Sequence, residues 1–228
     1  MRLMKYKAIC FDIDGTLYPK ALMNKRLLIL GLRHPLFSLR YNKMRRQLRK
    51  CQESLSGSLM SKEATVICKN MGTVKNEDIV SKRLEAWIYK PMERLYRSTK
   101  PYDGVVETFK AIKQRGLKIG VFSDFPLFNK LESMGLADYV DFALSSENVG
   151  FLKPSVHCFE KLLYNIGVGP AEALYVGDSY DKDVVGAREA GVDAVLVNAR
   201  GAREEYPLAN EVFESWEGFE KWLLKSLE

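Results

Sequence analysis

The chain has 228 residues, of which 46% are hydrophobic and 28% charged, and carries a net charge of +6. That is the composition of a globular protein able to bury a full core, either as one α/β domain or as a domain with a substantial insertion. It excludes a disordered chain, and no run of about 18 apolar residues is present to span a membrane.

In chain order, the first predicted element is a short apolar run over residues 8–11, which reads as an interior strand. The opening MRLMKYKAICFD leads straight into it and leaves no room for a signal peptide, so a cytoplasmic protein is expected. The strand ends in Asp12 and Asp14, followed by Gly15 and Thr16. Sheets of α/β type bind ligands beyond the carboxyl ends of their strands, which places both acids where a site belongs. Their i, i+2 spacing puts them on one face of a continued strand, and a turn would still let both reach a common pocket. Two like charges this close are explained by a bound cation or a shared proton, the alternative being a solvated loop with two acids.

From residue 17 to 97 the pattern is helical, with helices expected over 22–32, 38–52, 62–71 and 76–97. A flexible connection or break is expected over 54–61, and Pro91 should kink or divide the last helix. Leu39, Met44 and Leu48 share a helical spacing, with arginines and lysines on the other faces. Residues 17–100 hold nineteen Lys or Arg against six Asp or Glu, a basic segment set in an acidic frame. Such a segment suits a small anionic ligand or a solvated helical surface, and Arg45 and Arg46 are read as the latter. No nucleic-acid motif accompanies the charge, so a polynucleotide is not the expected partner.

Beyond residue 101 helices and strands alternate. Strands are expected over 117–122, 139–144, 173–176 and 194–197, and helices over 104–114, 126–134, 156–165, 183–190 and 216–227. The alternation specifies a parallel sheet covered on both faces. Four cysteines (Cys10, Cys51, Cys68, Cys158) without a CxxC are read as reduced thiols.

Ser123, Asp124, Lys153, Asp178 and Asp183 all follow predicted strands. Taken singly, Ser123 could be a helix cap, Lys153 a surface lysine, Asp178 a turn residue and Asp183 a first-turn acid. Taken together with Asp12 and Asp14, they make a hard oxygen-rich site suited to Mg²⁺, facing a lysine and a hydroxyl that can hold an anion. The absence of nearby His and Cys argues against zinc.

In order along the chain, FDIDGTLY (11–18), VFS (121–123), Lys153-Pro154 and VGDSYDKD (176–183) resemble the four motifs of the haloacid dehalogenase-like hydrolases. The resemblance implies a Rossmann-like core, 1–16 with 98–228, and an inserted all-helical cap over 17–97 like that of the phosphoglycolate-phosphatase-like branch. It implies that Asp12 is the nucleophile, Asp14 the general acid/base, Ser123 a phosphoryl-binding group and Lys153 the cation that holds Asp12. By the same resemblance Mg²⁺ is held by Asp12, Asp178 and the backbone carbonyl of Asp14, with Asp183, Gly15 and Thr16 supporting. Asp14 favours ester hydrolysis over dehalogenation, because a departing alkoxide needs a proton and a halide does not. The expected function is Mg²⁺-dependent hydrolysis of a small phosphorylated metabolite through an aspartyl phosphate. A sugar-phosphate mutase of the same fold, or a catalytically idle binding or regulatory protein, is the alternative. Asp124, where such phosphatases often carry Asn, is expected to add negative charge near the pocket.

Overall fold

The computed structural model describes residues 5–50, 58–72 and 76–227. Six strands, β1 (Ala8–Asp12), β2 (Lys118–Ser123), β3 (Phe142–Ser145), β4 (Ala173–Gly177), β5 (Asp193–Leu196) and β6 (Glu211–Val212), form one parallel sheet in the order β3-β2-β1-β4-β5-β6. The order reverses between β1 and β4, so the carboxyl ends of these two neighbours flank the crevice where such sheets bind ligands. The α/β, Rossmann-like class expected from the sequence is the class observed.

Five helices follow β1 in the chain: α1 (Lys20–Leu32), α2 (Pro35–Lys50), α3 (Leu59–Asn70), α4 (Glu77–Leu84) and α5 (Lys90–Tyr96). The rest are α6 (Val105–Gln114), α7 (Lys130–Ser133), α8 (Ser146–Val149), α9 (Val156–Ile166), α10 (Val185–Glu189) and α11 (Trp216–Leu227). Side chains of β1 alternate between two cores, as the two-residue period of a strand requires. Ile9 and Phe11 pack with Phe109 and Ile112 of α6 and with Trp216 and Phe219 of α11. Ala8 and Cys10 pack with Cys158, Leu162 and Ile166 of α9.

Several elements depart from the sequence expectation. The division expected at Pro91 is present in a mild form: a π-helical turn over Glu85–Tyr89, just before the proline, separates α4 from α5 without ending the helical path. The missing proline N–H and the clash of its ring with the carbonyl four residues back are relieved by that wider turn. In α2 the buried stripe is Phe37, Tyr41, Met44, Arg45 and Leu48, whereas Leu39 is exposed. Arg45 therefore lies on the inner face, contrary to its reading as solvated, while Arg46 is exposed as expected. The helix expected over 126–134 shrinks to α7, because residues 125–129 make a turn in which Phe128 adopts φ +47°. Residues 137–139 form a single 3₁₀ turn, so β3 starts only at Phe142. Strand β6 is two half-buried residues without alternation to announce it.

Ser58 caps α3, accepting from the Ser61 N–H at 3.2 Å, whereas 54–57 of the expected connection, and Cys51, lie outside the described residues. Cys10, Cys68 and Cys158 are free and buried. Among the described residues no helix is long and apolar enough to cross a membrane.

Candidate active site

Strand β1 ends at Asp12 and the chain turns at once, with Leu17 N–H donating to the Ile13 carbonyl at 3.1 Å. Gly15 permits the turn: its φ is +107°, and a Cβ there would stand 2.3 Å from Asp178 Oδ2. The loop can thus press against the carboxylate that follows β4. Asn198 Nδ2 secures it from the far side, donating to the Gly15 carbonyl at 2.8 Å.

Asp12 keeps the strand parity of Ala8 and Cys10 and meets groups from that side of the sheet. Lys153 Nζ donates to Asp12 Oδ1 at 2.7 Å, to Asp183 Oδ1 at 2.6 Å and to the Tyr175 hydroxyl at 3.2 Å. Thr16 Oγ1 donates to Asp12 Oδ2 at 2.9 Å, and Ser179 N–H donates to Asp183 Oδ2 at 3.0 Å. A fully buried lysine shared by two carboxylates has every reason to remain charged. Burial opposes its charge, but Asp12 and Asp183 outweigh that and hold its pKa well above the ordinary value.

Asp14, past the turn, has a separate set of partners. Ser123 Oγ donates to its Oδ2 at 2.9 Å, Lys130 Nζ reaches both oxygens at 2.9 and 2.8 Å, and the Tyr18 hydroxyl donates to Oδ1. The two aspartates thus make different contacts yet line one small cavity of about 50 Å³, together with Lys20, Arg49, Phe125, Lys153, Asp178 and Asp183. Of the two sequence alternatives, a turn that still delivers both acids to a common pocket is the one observed.

Burial raises the carboxyl of Asp183 to about 6 despite Lys153, and it raises Asp178 too, with Asp12 adding repulsion. Asp14 goes the other way: burial would raise it, but the Lys130 ammonium and the hydrogen bonds from Lys130, Tyr18 and Ser123 bring it below the ordinary value. Carboxylate oxygens of Asp12, Asp178 and Asp183 approach within 4.8 Å of one another, a donor set for one hard cation.

Asp124 does not add free negative charge to the pocket, as the sequence suggested. Arg49 pairs with one of its oxygens, and the Lys153 backbone N–H (3.1 Å) and Ser146 Oγ (3.4 Å) donate to the other. Burial opposes its ionisation, but Arg49, Lys153 and Arg45 hold it well below the usual carboxylate range. Arg45 donates to the Asp124 carbonyl at 2.9 Å and to Glu63 Oε1 at 2.9 Å, and Arg49 donates to the Lys153 carbonyl at 2.7 Å. Helix α2 is thereby tied to the loops that carry Ser123 and Lys153.

The structure brings together every residue singled out from the sequence and adds Lys130, Tyr18, Lys20 and Arg49. Lys130 is the most consequential addition, being completely buried between Asp14 and Ser123. The sequence offered only its position within the helix expected over 126–134.

The family pattern described as "Hydrolase: haloacid dehalogenase-like hydrolase" matches residues 6–191. Glyceraldehyde 3-phosphate phosphatase of Methanothermobacter thermautotrophicus is 28% identical over 205 residues, covering 85% of this chain and 86% of that protein. Ribulose-1,5-bisphosphate 5-phosphatase of Halopiger xanaduensis is 29% identical over 208 residues, covering 83% of each. Among solved structures, β-phosphoglucomutase from Clostridium difficile superposes with a TM-score of 0.68 at 17% identity, covering 97% of both chains, which is a likeness of fold.

Proposed function

The chain belongs to the haloacid dehalogenase-like hydrolases, and on that premise we propose that it hydrolyses a small cytoplasmic phosphomonoester through a phosphorylated Asp12. The observation that carries the reading is Lys153 pinned between Asp12 and Asp183, with Asp178 completing a trio of carboxylates at the sheet's switch point. The names of the two curated relatives, both phosphatases of phosphorylated sugars, support the reaction class. Residues 17–97 act as a cap over the site, since α2 reaches Asp124 and the Lys153 carbonyl.

In the first step an Asp12 oxygen attacks phosphorus and the bond to the ester oxygen breaks; Asp14, which Lys130 holds ionised, must first take up a proton as it swings from that contact, and passes it to the leaving alkoxide. In the second step Asp14 takes a proton from water, whose oxygen attacks the same phosphorus and frees Asp12 and inorganic phosphate. Asp14 and Ser123 now hold each other. Work as proton donor and as phosphoryl ligand requires both to turn from that contact toward the substrate.

The donor set fits a hard divalent cation such as Mg²⁺: carboxylate oxygens only, with no His or Cys among them. Asp12 and Asp178 would hold it together with the Asp14 backbone carbonyl. Asp183, held by Lys153 and the Ser179 N–H, would support the site from behind. When bound, the cation supplies positive charge to the phosphoryl oxygens and relieves the repulsion between Asp12 and Asp178.

Phosphate release from a panel of sugar phosphates, phosphoglycolate, nucleotides and phosphoamino acids, with and without Mg²⁺, tests the reading. Asp12→Asn should abolish turnover while the protein stays folded by circular dichroism. Unchanged turnover in that variant refutes the assignment.

A further inference from the structure

The catalytic cavity, at about 50 Å³, has room for little more than a phosphoryl group, so the rest of any substrate must lie in an adjoining space. Two larger cavities flank it. One, of about 570 Å³, shares Lys20 and Asp178 with the catalytic cavity and has mixed walls that include Gly15, Tyr102, Ser179, Asn198 and Arg200. The other, of about 510 Å³, shares Phe125 and is walled largely by Leu28, Leu32 and Leu39 of α1 and α2, together with Ile88 and Met92.

The position of Asp14 decides which of the two receives the leaving group. The leaving oxygen takes its proton from Asp14, so the organic part of the ester departs on that side of phosphorus. Lys130, bonded to Asp14, lies 4.1 Å from the Tyr96 ring and 6.0 Å from the Phe125 ring. Phe125 lines the apolar chamber, as does Met92, one helical turn before Tyr96 on α5. The mixed-walled cavity lies instead beside Asp178, on the side assigned to the cation. The apolar chamber is therefore the one next to the proton donor.

We infer that the substrate is a phosphomonoester whose leaving group carries an apolar body of more than about four carbons, seated between α1, α2 and Phe125. The inference rests on the phosphatase reading of the same site and narrows its substrate class. A three-carbon sugar phosphate would leave the chamber almost unfilled. The chamber's polar groups, Asn24, Ser38, Tyr41 and Asn42, are outnumbered by apolar ones, and a polyol's hydroxyls lose hydrogen bonds to water when they meet apolar walls.

The test is a series of n-alkyl phosphates from ethyl to octyl, whose leaving alcohols have nearly constant acidity, so that only the apolar length changes. kcat/KM should rise about two- to fourfold per methylene until the chamber is full, and ethyl phosphate and glyceraldehyde 3-phosphate should be the poorer substrates. Leu39→Lys, at an exposed position on the chamber wall, should flatten the series, bringing octyl phosphate turnover down toward that of ethyl phosphate. A flat or falling series with active ethyl phosphate overturns the inference and leaves the phosphatase reading standing. If no ester is hydrolysed, calorimetry with non-hydrolysable n-alkylphosphonates separates the two. Affinity rising with chain length keeps the chamber assignment and sinks the phosphatase reading, and affinity independent of chain length sinks both.

Discussion

Replacing Lys130 with methionine tests the buried half of the site most directly. The side chain is completely buried, with Nζ 2.8 and 2.9 Å from the Asp14 oxygens and 3.2 Å from Ser123 Oγ. Methionine keeps the length of the stem and its contacts but removes the ammonium, leaving Asp14 with hydroxyl partners such as Ser123 and Tyr18 and no counter-ion. Removing one partner of a buried pair costs about 3–5 kcal/mol, because the surviving charge remains away from water without its counter-ion. Lys130→Met should therefore lower the urea-unfolding free energy at pH 7 by about that amount. In an Asp14→Asn background no charge is stranded, and the same change should cost roughly 1 kcal/mol or less. The double-mutant cycle should thus give a coupling of at least about 2 kcal/mol. Equal costs of Lys130→Met in the two backgrounds would show that Lys130 does not neutralise Asp14, and would refute the argument.

Removing divalent cations with EDTA should abolish phosphate release, and added Mg²⁺ should restore it; full activity in the chelated protein would overturn the cation assignment. Gly15→Ala introduces a side chain at φ +107° and 2.3 Å from Asp178 Oδ2. It should destabilise the protein by more than about 1 kcal/mol and raise the Mg²⁺ needed for half-maximal activity about tenfold. Wild-type metal dependence would show that the loop does not set Asp178. Away from the site, Asp193 has a carboxyl at about 2 in place of 3.8, because Lys5, Tyr6 and Arg188 outweigh its partial burial. That difference corresponds to about 2.5 kcal/mol, which solvent screening at this partly exposed cluster reduces to roughly 1–2 kcal/mol. The folded-state pKa is depressed, so the contribution is present above about pH 4 and lost as pH falls toward 2. Chemical denaturation of Asp193→Asn should show a deficit at pH 7 that closes between pH 4 and 2, and a pH-independent deficit would contradict it.

The sequence made the sheet and half of the site readable because both rest on local signals. Apolar runs bounded by turns marked five of the six strands, since strands buried on both faces need no polar alternation. The carboxylates and Ser123 were legible because each stands at the end of such a run, and parallel strands bring those ends together. Lys130 and Arg45 were not, since their importance depends on partners far along the chain: Lys130 on Asp14, Arg45 on the Asp124 carbonyl. Helical periodicity does place Arg45 next to Met44 on the stripe from Tyr41 to Leu48, but a charged residue there is read as solvated unless Glu63 is known to face it. Asp124 failed for the related reason that proximity to a pocket does not reveal whether a charge is already neutralised.

The balance of charge explains why so many cations were needed around these acids. Asp12, Asp14, Asp124, Asp178 and Asp183 meet Lys20, Arg49, Lys153 and Lys182 at the cavity, with Lys130 behind Asp14. Five carboxylates thus face five cations. A divalent cation and a dianionic phosphoryl group would enter this neutral site as a neutral pair, changing no net charge. What must change is the pairing. Lys20 now stands 3.2 Å from Asp178 Oδ2, the carboxylate assigned to the cation. A cation bound to Asp178 takes over that partner and leaves the Lys20 ammonium beside the cavity, where a phosphoryl oxygen is its natural replacement. On the other flank, Ser123 would gain the proposed phosphoryl contact only by giving up Asp14, the acid proposed to serve the leaving group. On the proposed mechanism, seating the phosphate would thus remove one of the partners of the proton carrier, leaving Lys130 and Tyr18 as those it must still turn from.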